Sequence, residues 1–312
     1  MKKAKKKIRF AVPSGKVYKN EYFQNRPLSF VNVSVTGAAC ALDCKHCGGS
    51  LLRSMAPAPL PAEFPARVRQ WRERGCGGFL LSGGADERGR VPLSPYLNGA
   101  AAAVKSGMEV VAHTGVIGAA DAAALKASGV TRATMDIIGD TDTVRNVCGL
   151  PLTAAAYEGV LSACRGAGLA VSPHIVIGLD HGVLKGERKA LEAIVAHEPR
   201  SVVLVVLKPL KGTAMAGIDP PELKEVLSFL EFAASAAGSV PLALGCACPG
   251  GAYRRAVENA CLDLGFRAIA YPDPRTVARC EAEGWDYGFE ARCCCLTAAG
   301  PPPREKEKEG AK

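Results

Sequence analysis

The sequence contains few aromatic residues and no long apolar run. Hydrophobic residues make up 48% of its 312 residues but aromatic residues only 6%, so we expect a core of Ala, Val, Leu and Ile. No stretch approaches the roughly 18 consecutive apolar residues of a membrane span. The basic start, MKKAKKKIR, is not followed by the apolar segment of a signal peptide. The sequence therefore predicts a cytoplasmic protein with no membrane partner.

Clustered positive charge is missing from the body of the chain. The formal net charge is +9, and six positive charges lie in the opening MKKAKKKIR. A nucleic-acid-binding face needs Lys and Arg clustered within the folded part. The charge distribution argues against a nucleic-acid partner and indicates that the basic start is a solvated lead-in.

Alternation of polar and apolar residues is scarce in the segments that resemble strands. They are continuous apolar runs, as expected for parallel strands buried on both faces, and they cover residues 29–37, 77–84, 108–115, 132–139, 170–178, 201–209, 240–250 and 266–272. The segments between them fit crossover helices. Eight such repeats predict an α/β fold, a closed (β/α)8 TIM-type barrel. The alternative is a six-stranded open barrel with an independent C-terminal piece.

The predicted barrel covers residues 28–272, and the remaining segments flank it. Residues 1–27 form the basic N-terminal lead-in. Residues 273–300 form a short C-terminal extension that contains cysteines, and residues 301–312, PPPREKEKEGAK, form a disordered charged tail.

A fourth cysteine is absent from the segment CALDCKHCGG, which carries Cys40, Cys44 and Cys47. In a reducing cytosol, thirteen cysteines are more readily explained by metal ligands than by a disulfide framework. Structural zinc sites usually take four ligands, and no second pair follows at a zinc spacing. A [4Fe–4S] cluster held by three thiolates leaves one iron open to another ligand. The alternative is a zinc knuckle or three incidental buried thiols.

The spacing Cys-x3-Cys-x2-Cys, with His46 before the last cysteine, resembles the signature of radical S-adenosylmethionine (SAM) enzymes. The resemblance implies a barrel of the radical SAM kind with a [4Fe–4S] cluster and SAM as cofactors. In that family the open iron chelates the amino and carboxyl groups of the methionine part. An electron then cleaves SAM to a 5′-deoxyadenosyl radical, which abstracts hydrogen from the substrate.

Further segments are similar to SAM-binding segments of this family. Ser82-Gly83-Gly84 resembles the Gly-Gly-Glu motif that meets the methionyl amino group, although Ala85 stands in place of the acidic residue. Ile177 and Gly178, in HIVIGLD, resemble a stretch that packs against adenine, and Pro209 lies in a segment similar to the Pro-x-x-Gly-Thr of biotin-synthase-like members.

Two polar residues in the predicted strands have a functional and a structural interpretation. Asp136 is a candidate acceptor for the ribose hydroxyls of SAM, or an interior polar residue satisfied by a neighbour. His113, which ends the third run, faces either the cavity or a loop contact, and a lone histidine is more often structural.

A second group of cysteines is expected near the active site. Cys246 and Cys248 end the seventh run, and the closing barrel should bring the C-terminal Cys293, Cys294 and Cys295 back near its mouth. We predict that Cys246, Cys248, Cys293 and Cys294 hold an auxiliary iron–sulfur cluster. The alternative is that they are buried small hydrophobic residues. We expect the remaining cysteines to be structural: Cys76, Cys148, Cys164, Cys261 and Cys280.

Over residues 26–296 the chain resembles biotin-synthase-related radical SAM proteins of archaea and anaerobic bacteria, some of which are subunits of a two-component lipoyl synthase. This implies a lipoyl-synthase-like sulfurtransferase that inserts sulfur into an aliphatic chain of octanoyl, lipoyl or biotin type. The implied partners are an octanoylated carrier protein or small-molecule substrate, a ferredoxin- or flavodoxin-type electron donor and a second radical SAM subunit. The alternatives are a radical methylase or rearrangement catalyst, or a non-catalytic iron–sulfur partner subunit.

Overall fold

The computed structural model describes residues 5–300, in which strands alternate with helices. The strands are β1 (Lys7–Ala11), β2 (Val31–Ser34), β3 (Ala56–Pro57), β4 (Gly78–Ser82), β5 (Glu109–His113), β6 (Arg132–Thr134), β7 (His174–Ile177), β8 (Val202–Val206), β9 (Leu242–Leu244), β10 (Ala268–Ala270) and β11 (Asp286–Glu290). The α-helices are α1 (Phe64–Glu73), α2 (Leu97–Lys105), α3 (Ala119–Ala127), α4 (Thr141–Cys148), α5 (Ala154–Gly166), α6 (Glu187–Ala196), α7 (Leu223–Ala236), α8 (Gly251–Asp263), α9 (Pro274–Ala282) and α10 (Cys294–Ala299). Short 3-10 helices cover Ser50–Ser54, Pro61–Glu63 and Ser94–Tyr96.

The strands form two parallel sheets that meet at β6 and β7. One has the order β3-β2-β4-β5-β6, and the other the order β7-β8-β9-β10-β1-β11. Single parallel bridges, Ala133 with Val171 and Asp136 with His174, join them. The wall is therefore continuous from β3 to β11. Each of the eight apolar runs contains a strand of this wall, as predicted from burial on both faces.

The closed (β/α)8 barrel that the sequence predicts is not found in residues 5–300, where the wall ends in β3 on one side and in β11 on the other. The six-stranded alternative does not describe the chain either, because β9 and β10 continue the same sheet as β8. The ladder extends past β10 to β1 and β11 instead of returning to β2.

Both flanking segments contribute strands to the sheet. β1 lies in the expected lead-in and β11 in the expected C-terminal extension, and they pair in parallel from Lys7–Asp286 to Ala11–Glu290. Only alternate residues of β1, Ile8 and Phe10 among them, have buried side chains that pack toward the helices. Neither strand has the continuous apolar run by which the other strands are recognised in the sequence. Lys7 and Arg9 interrupt β1, and β11 has no fully buried residue. The predicted disordered tail, 301–312, lies outside the described residues.

The C-terminal helix α10 lies inside the curved wall. It contacts β1, β6, β8, β9 and β10, and its Leu296 and Ala298 pack in an inner core with Phe30, Val111 and Val203, which come from both sheets. A larger outer core separates the sheets from the remaining helices. Among the described residues, no helix combines the length and the apolar character needed to cross a membrane.

Candidate functional site

The three cysteines of the sequence motif lie on one loop beyond the carboxyl end of β2. Cys40, Cys44 and Cys47 are free thiols, each partly exposed. Backbone hydrogen bonds anchor the loop: the amide of Ala41 donates to Ala85 O (2.9 Å) and that of Lys45 donates to Val147 O (2.8 Å). The loop is thus held between the segment that follows β4 and the end of α4, with its thiols accessible to a cofactor.

The distances among these three thiols can be compared with those expected for a single zinc ion and for an iron–sulfur cluster. Within residues 5–300, the three sulfur atoms do not all lie within 4.8 Å of one another. A single zinc ion holds thiolates about 3.8 Å apart, because each Zn–S bond is about 2.3 Å long. In an iron–sulfur cluster each thiolate binds a different iron, so the sulfurs are spread more widely. As they stand, the three sulfur atoms are therefore not all as close together as the ligands of one zinc ion.

Gly84 allows the loop to approach the end of β4. A Cβ added at Gly84 would lie 2.0 Å from Ala39 O and 2.6 Å from the Cα of Cys40. Its amide donates to Oγ1 of Thr36 at 2.7 Å, and that hydroxyl donates to Ala39 O at 2.8 Å. Only glycine permits this contact between backbones. Gly84 therefore has a packing role at the cysteine loop, besides the SAM contact that the resemblance implies.

The other two residues of this motif lie just before Gly84. Ser82 is buried at the end of β4, and its carbonyl accepts a hydrogen bond from the amide of Val35 at 2.8 Å. A Cβ on Gly83 would lie 2.9 Å from Cγ2 of Val35. Both residues thus pack against the chain segment that leads from β2 into the cysteine loop.

Cys148, which we expect from the sequence to be structural, contacts the loop that carries Cys40, Cys44 and Cys47. Sγ of Cys44 lies 3.6 Å from the carbonyl oxygen of Cys148. Cys44 donates to this carbonyl, while the neighbouring thiol of Cys148 lowers the pKa of Cys44. No spacing in the sequence relates these residues, because α4 brings Cys148 to the loop from 104 positions away.

His46, the histidine of the cysteine loop, has a buried ring nitrogen. Its Nδ1 is buried and has no hydrogen-bond partner among the described residues. Burial lowers the pKa of His46, so the ring is neutral near pH 7. The unpaired nitrogen adjoins the three thiols in sequence and is a polar atom that a bound group could satisfy.

Asp136 lies between two histidines. Its carboxylate is 3.9 Å from Nε2 of His113 and 3.9 Å from Nδ1 of His174, beyond hydrogen-bond length. The imidazoles stack with centroids 5.7 Å apart and planes 19° apart. Burial lowers the pKa of His174. His113 ends β5, Asp136 follows β6 by two residues, and His174 begins β7. These strands are neighbours in the parallel wall, a signal that sequence reasoning could have used.

The residues predicted to meet adenine lie at the ends of β7 and β8. Ile177 is completely buried in the outer core, on the side of the sheet that faces the helices. Gly178 has a positive φ of 75°, and a Cβ there would lie 2.1 Å from Cγ of Pro221. Its amide donates to Oε1 of Glu187 at 2.8 Å. Pro209 follows β8 and is half-buried.

The second group of cysteines is divided between the two cores. Cys246 is exposed after β9, and Cys248 is buried in the outer core. Cys293 and Cys294 belong to the inner core, with Sγ of Cys295 3.4 Å from Sγ of Cys293. Hydrogen bonds from the thiols of Cys294 and Cys295 hold the pKa of Cys293 well below its usual value.

The extension reaches the interior at the amino-terminal ends of the strands, and not at the mouth as the sequence predicts. Arg292 pairs with Glu109, the first residue of β5, at 3.3 Å. Ser201, just before β8, donates to Cys295 O at 3.2 Å. The extension enters there because β11 adds to the sheet beside β1 and so carries the chain past the expected closure.

Comparison with known proteins identifies the fold. No protein-family model matches the chain, and no curated protein matches it. Methylornithine synthase (PylB) superimposes with a TM-score of 0.58 at 14% identity, over 83% of each chain. HydG, a maturase of the [FeFe]-hydrogenase, gives 0.59 at 13% identity, over 85% of this chain and 56% of HydG.

A third solved structure contains SAM. SuiB from Streptococcus suis, solved bound to SAM, gives a TM-score of 0.56 at 12% identity, over 75% of this chain and 53% of SuiB. The chain thus spans little more than half the length of HydG and SuiB. These similarities show that the chain shares its fold with these three proteins.

Proposed function

We propose that this protein is a radical SAM enzyme whose [4Fe–4S] cluster is held by Cys40, Cys44 and Cys47. The observation that carries the proposal is the loop itself: three free, partly exposed thiols beyond the carboxyl end of β2, in a fold shared with an enzyme solved with SAM bound. When bound, the cluster supplies the electron that cleaves SAM to methionine and a 5′-deoxyadenosyl radical.

The residues of the chain prepare the site in two ways. The neighbouring thiol of Cys148 lowers the pKa of Cys44, so that less free energy is needed to deprotonate this ligand. The contact of Gly84 with Ala39 and Cys40 fixes where the loop lies relative to β4. The backbone at the end of this strand, where Gly83 is the partly exposed residue between buried Ser82 and Gly84, is the proposed site for the methionyl amino group.

The adenosine part of SAM is proposed to lie across the carboxyl ends of β6 to β8. Asp136 has a half-exposed carboxylate whose imidazole neighbours are too distant for hydrogen bonds, so its oxygens are free to accept them from the ribose hydroxyls. Because Ile177 and Gly178 are both buried, the half-buried Pro209 is the one of these three residues that adenine would contact directly.

For the substrate, we propose sulfur insertion into an aliphatic chain of octanoyl type, with an octanoylated carrier protein or small-molecule substrate. An external ferredoxin- or flavodoxin-type donor would supply the electron, and a second radical SAM subunit would complete the enzyme. Support comes from the sequence resemblance. The sulfide source would be an auxiliary cluster held by Cys246, Cys248, Cys293 and Cys294.

A radical reaction without C–S bond formation is the second candidate. It is favoured by the separation of Cys248 in the outer core from Cys294 in the inner core, because ligands of one cluster must converge. A methylase or a rearrangement catalyst needs only the cluster of the first three cysteines.

Iron counting and product mass separate these candidates. After anaerobic reconstitution, sulfur insertion predicts about eight irons per wild-type chain and about four in the Cys40/Cys44/Cys47→Ala variant, since each four-iron cluster is lost as a unit. With SAM, a reductant and an octanoyl-lysine peptide, it also predicts a thiolated peptide. Cys280→Ala, which removes a buried thiol within α9, is the control and should retain both clusters. Four irons in the wild type, none in the triple variant, and deoxyadenosine without a thiolated peptide would eliminate sulfur insertion.

A further inference from the structure

We propose that His113, Asp136 and His174 bind a divalent transition-metal ion, with Zn²⁺ or Fe²⁺ as the fitting ions. Each side chain offers one ligand atom, and these three atoms all lie within 4.8 Å of one another. It is the one such group of three His, Cys, Asp or Glu side chains in the part of the chain that the structure describes. None of the three residues belongs to the cysteine loop. Asp136 is also the proposed acceptor for the ribose of SAM, so an ion and SAM would compete for its carboxylate.

The distances are slightly longer than those of ligands around a shared ion, by an amount that side-chain movement can close. The carboxylate lies 3.9 Å from each imidazole, too far for a hydrogen bond. Bonds of about 2.1 Å to one ion place neighbouring ligand atoms roughly 3.0–3.4 Å apart. Side-chain movements of roughly 1 Å would complete such a site. If either histidine were hydrogen-bonded directly to Asp136, the distance between its ring nitrogen and the carboxylate oxygen would be shorter than the observed 3.9 Å.

The donor set selects the class of metal. Two imidazoles and one carboxylate are ligands that suit Zn²⁺ and Fe²⁺, whereas Mg²⁺ and Ca²⁺ prefer sites made of oxygen ligands alone. Three protein ligands leave coordination positions open to water or to a substrate group. Asp136 is the most exposed of the three, with 44% of its side chain accessible, so the open positions would face the mouth.

The backbone holds the three residues in register before any ion binds. His113 ends β5 and pairs with Thr134 of β6, while Asp136 and His174 form a parallel bridge. The amide of His174 donates to Met135 O at 2.8 Å, and that of Ile137 donates to His174 O at 2.9 Å. Ligands on adjacent strands form a more rigid site than ligands on loops.

A hydroxyl group also orients the second imidazole. Oγ1 of Thr134 lies 2.9 Å from Nδ1 of His174 and donates to Ser172 O at 2.8 Å. Metal-binding histidines commonly have such an outer partner, which fixes the orientation of the ring. Because the hydroxyl hydrogen goes to Ser172 O, Oγ1 accepts a hydrogen bond from Nδ1–H of His174. Nε2 of His174 is then the metal-binding nitrogen, and Thr134 is the outer partner of this site.

The test measures zinc binding by the full-length, cluster-loaded protein in the absence of SAM. After chelator treatment and dialysis against micromolar Zn²⁺, we expect one more zinc per chain in the wild type than in the His113→Asn/His174→Asn variant. Asp136→Asn preserves shape and should weaken zinc binding at least about 100-fold, since loss of outer partners alone costs roughly 10–100-fold. His197→Asn, a half-buried histidine on the outside of the wall that bonds Ser162, is the matched control and should bind as the wild type does.

Two results would overturn the proposal. One is a wild-type protein that takes up no zinc beyond the His113→Asn/His174→Asn level, which would assign any uptake to thiols. The other is unchanged zinc affinity in Asp136→Asn, whose circular dichroism checks that it is folded. The measurement does not depend on SAM cleavage, so its failure leaves the proposed enzyme activity unaffected.

Discussion

Cys47→Ala is expected to lose about four irons per chain and all reductive cleavage of SAM. A cluster bound through only two thiolates has two uncoordinated irons and is not retained, because thiolates normally ligate each iron. The visible absorbance of the reconstituted protein should fall in proportion to the iron that is lost. Single-turnover assays with reductant should detect no 5′-deoxyadenosine above background.

The control for Cys47→Ala is Cys164→Ala. Cys164 is completely buried in α5, remote in sequence from the loop, and burial raises its pKa to about 11. This variant should keep its iron and its activity. A Cys47→Ala protein that retains four irons and cleaves SAM would contradict the assignment of this loop as the cluster site.

Gly84→Ala is expected to impair the same site without removing a ligand. The new Cβ would lie 2.0 Å from a carbonyl oxygen and 2.6 Å from a Cα, both backbone atoms that cannot rotate away. The loop of Cys40 must therefore move. Displacements of about 1 Å in an active site can reduce activity about 100-fold, so we expect a fall of that size in SAM cleavage, together with incomplete iron uptake.

Gly118→Ala is the matched control for Gly84→Ala. A Cβ at Gly118 meets no atom within 4 Å, and the residue has extended backbone before α3. Iron content and activity should stay at wild-type values. Equal activity of Gly84→Ala and Gly118→Ala would show that the approach of β4 to the loop has no role in catalysis.

The strands could be predicted from the sequence to the extent that they are buried on both faces. The run SVVLVVLKP contains β8, and each residue of β8 packs in either the outer or the inner core. β11, DYGFE, has no fully buried residue, and β3 is only two residues long. Neither provides enough apolar surface to be recognised, so the continuation of the sheet beyond β10 came only from the structure.

The candidate site was predictable where it is local in sequence. The spacing of Cys40, Cys44 and Cys47 lies within one loop, and no tertiary information is needed to see it. The contact of Cys44 with Cys148 and the grouping of His113 with His174 depend on which strands and helices are adjacent. A complete strand order would have brought the two histidines together, but no order of strands would have revealed the contact with Cys148.

Reductive cleavage of SAM tests the central claim most directly. The reconstituted wild-type protein is incubated anaerobically with SAM and dithionite, and methionine and 5′-deoxyadenosine are quantified by mass spectrometry. The account predicts both products in equal amounts, and their absence from the Cys40/Cys44/Cys47→Ala variant. A protein that binds four irons on these cysteines but forms neither product would instead be a non-catalytic iron–sulfur subunit and would contradict the proposed function.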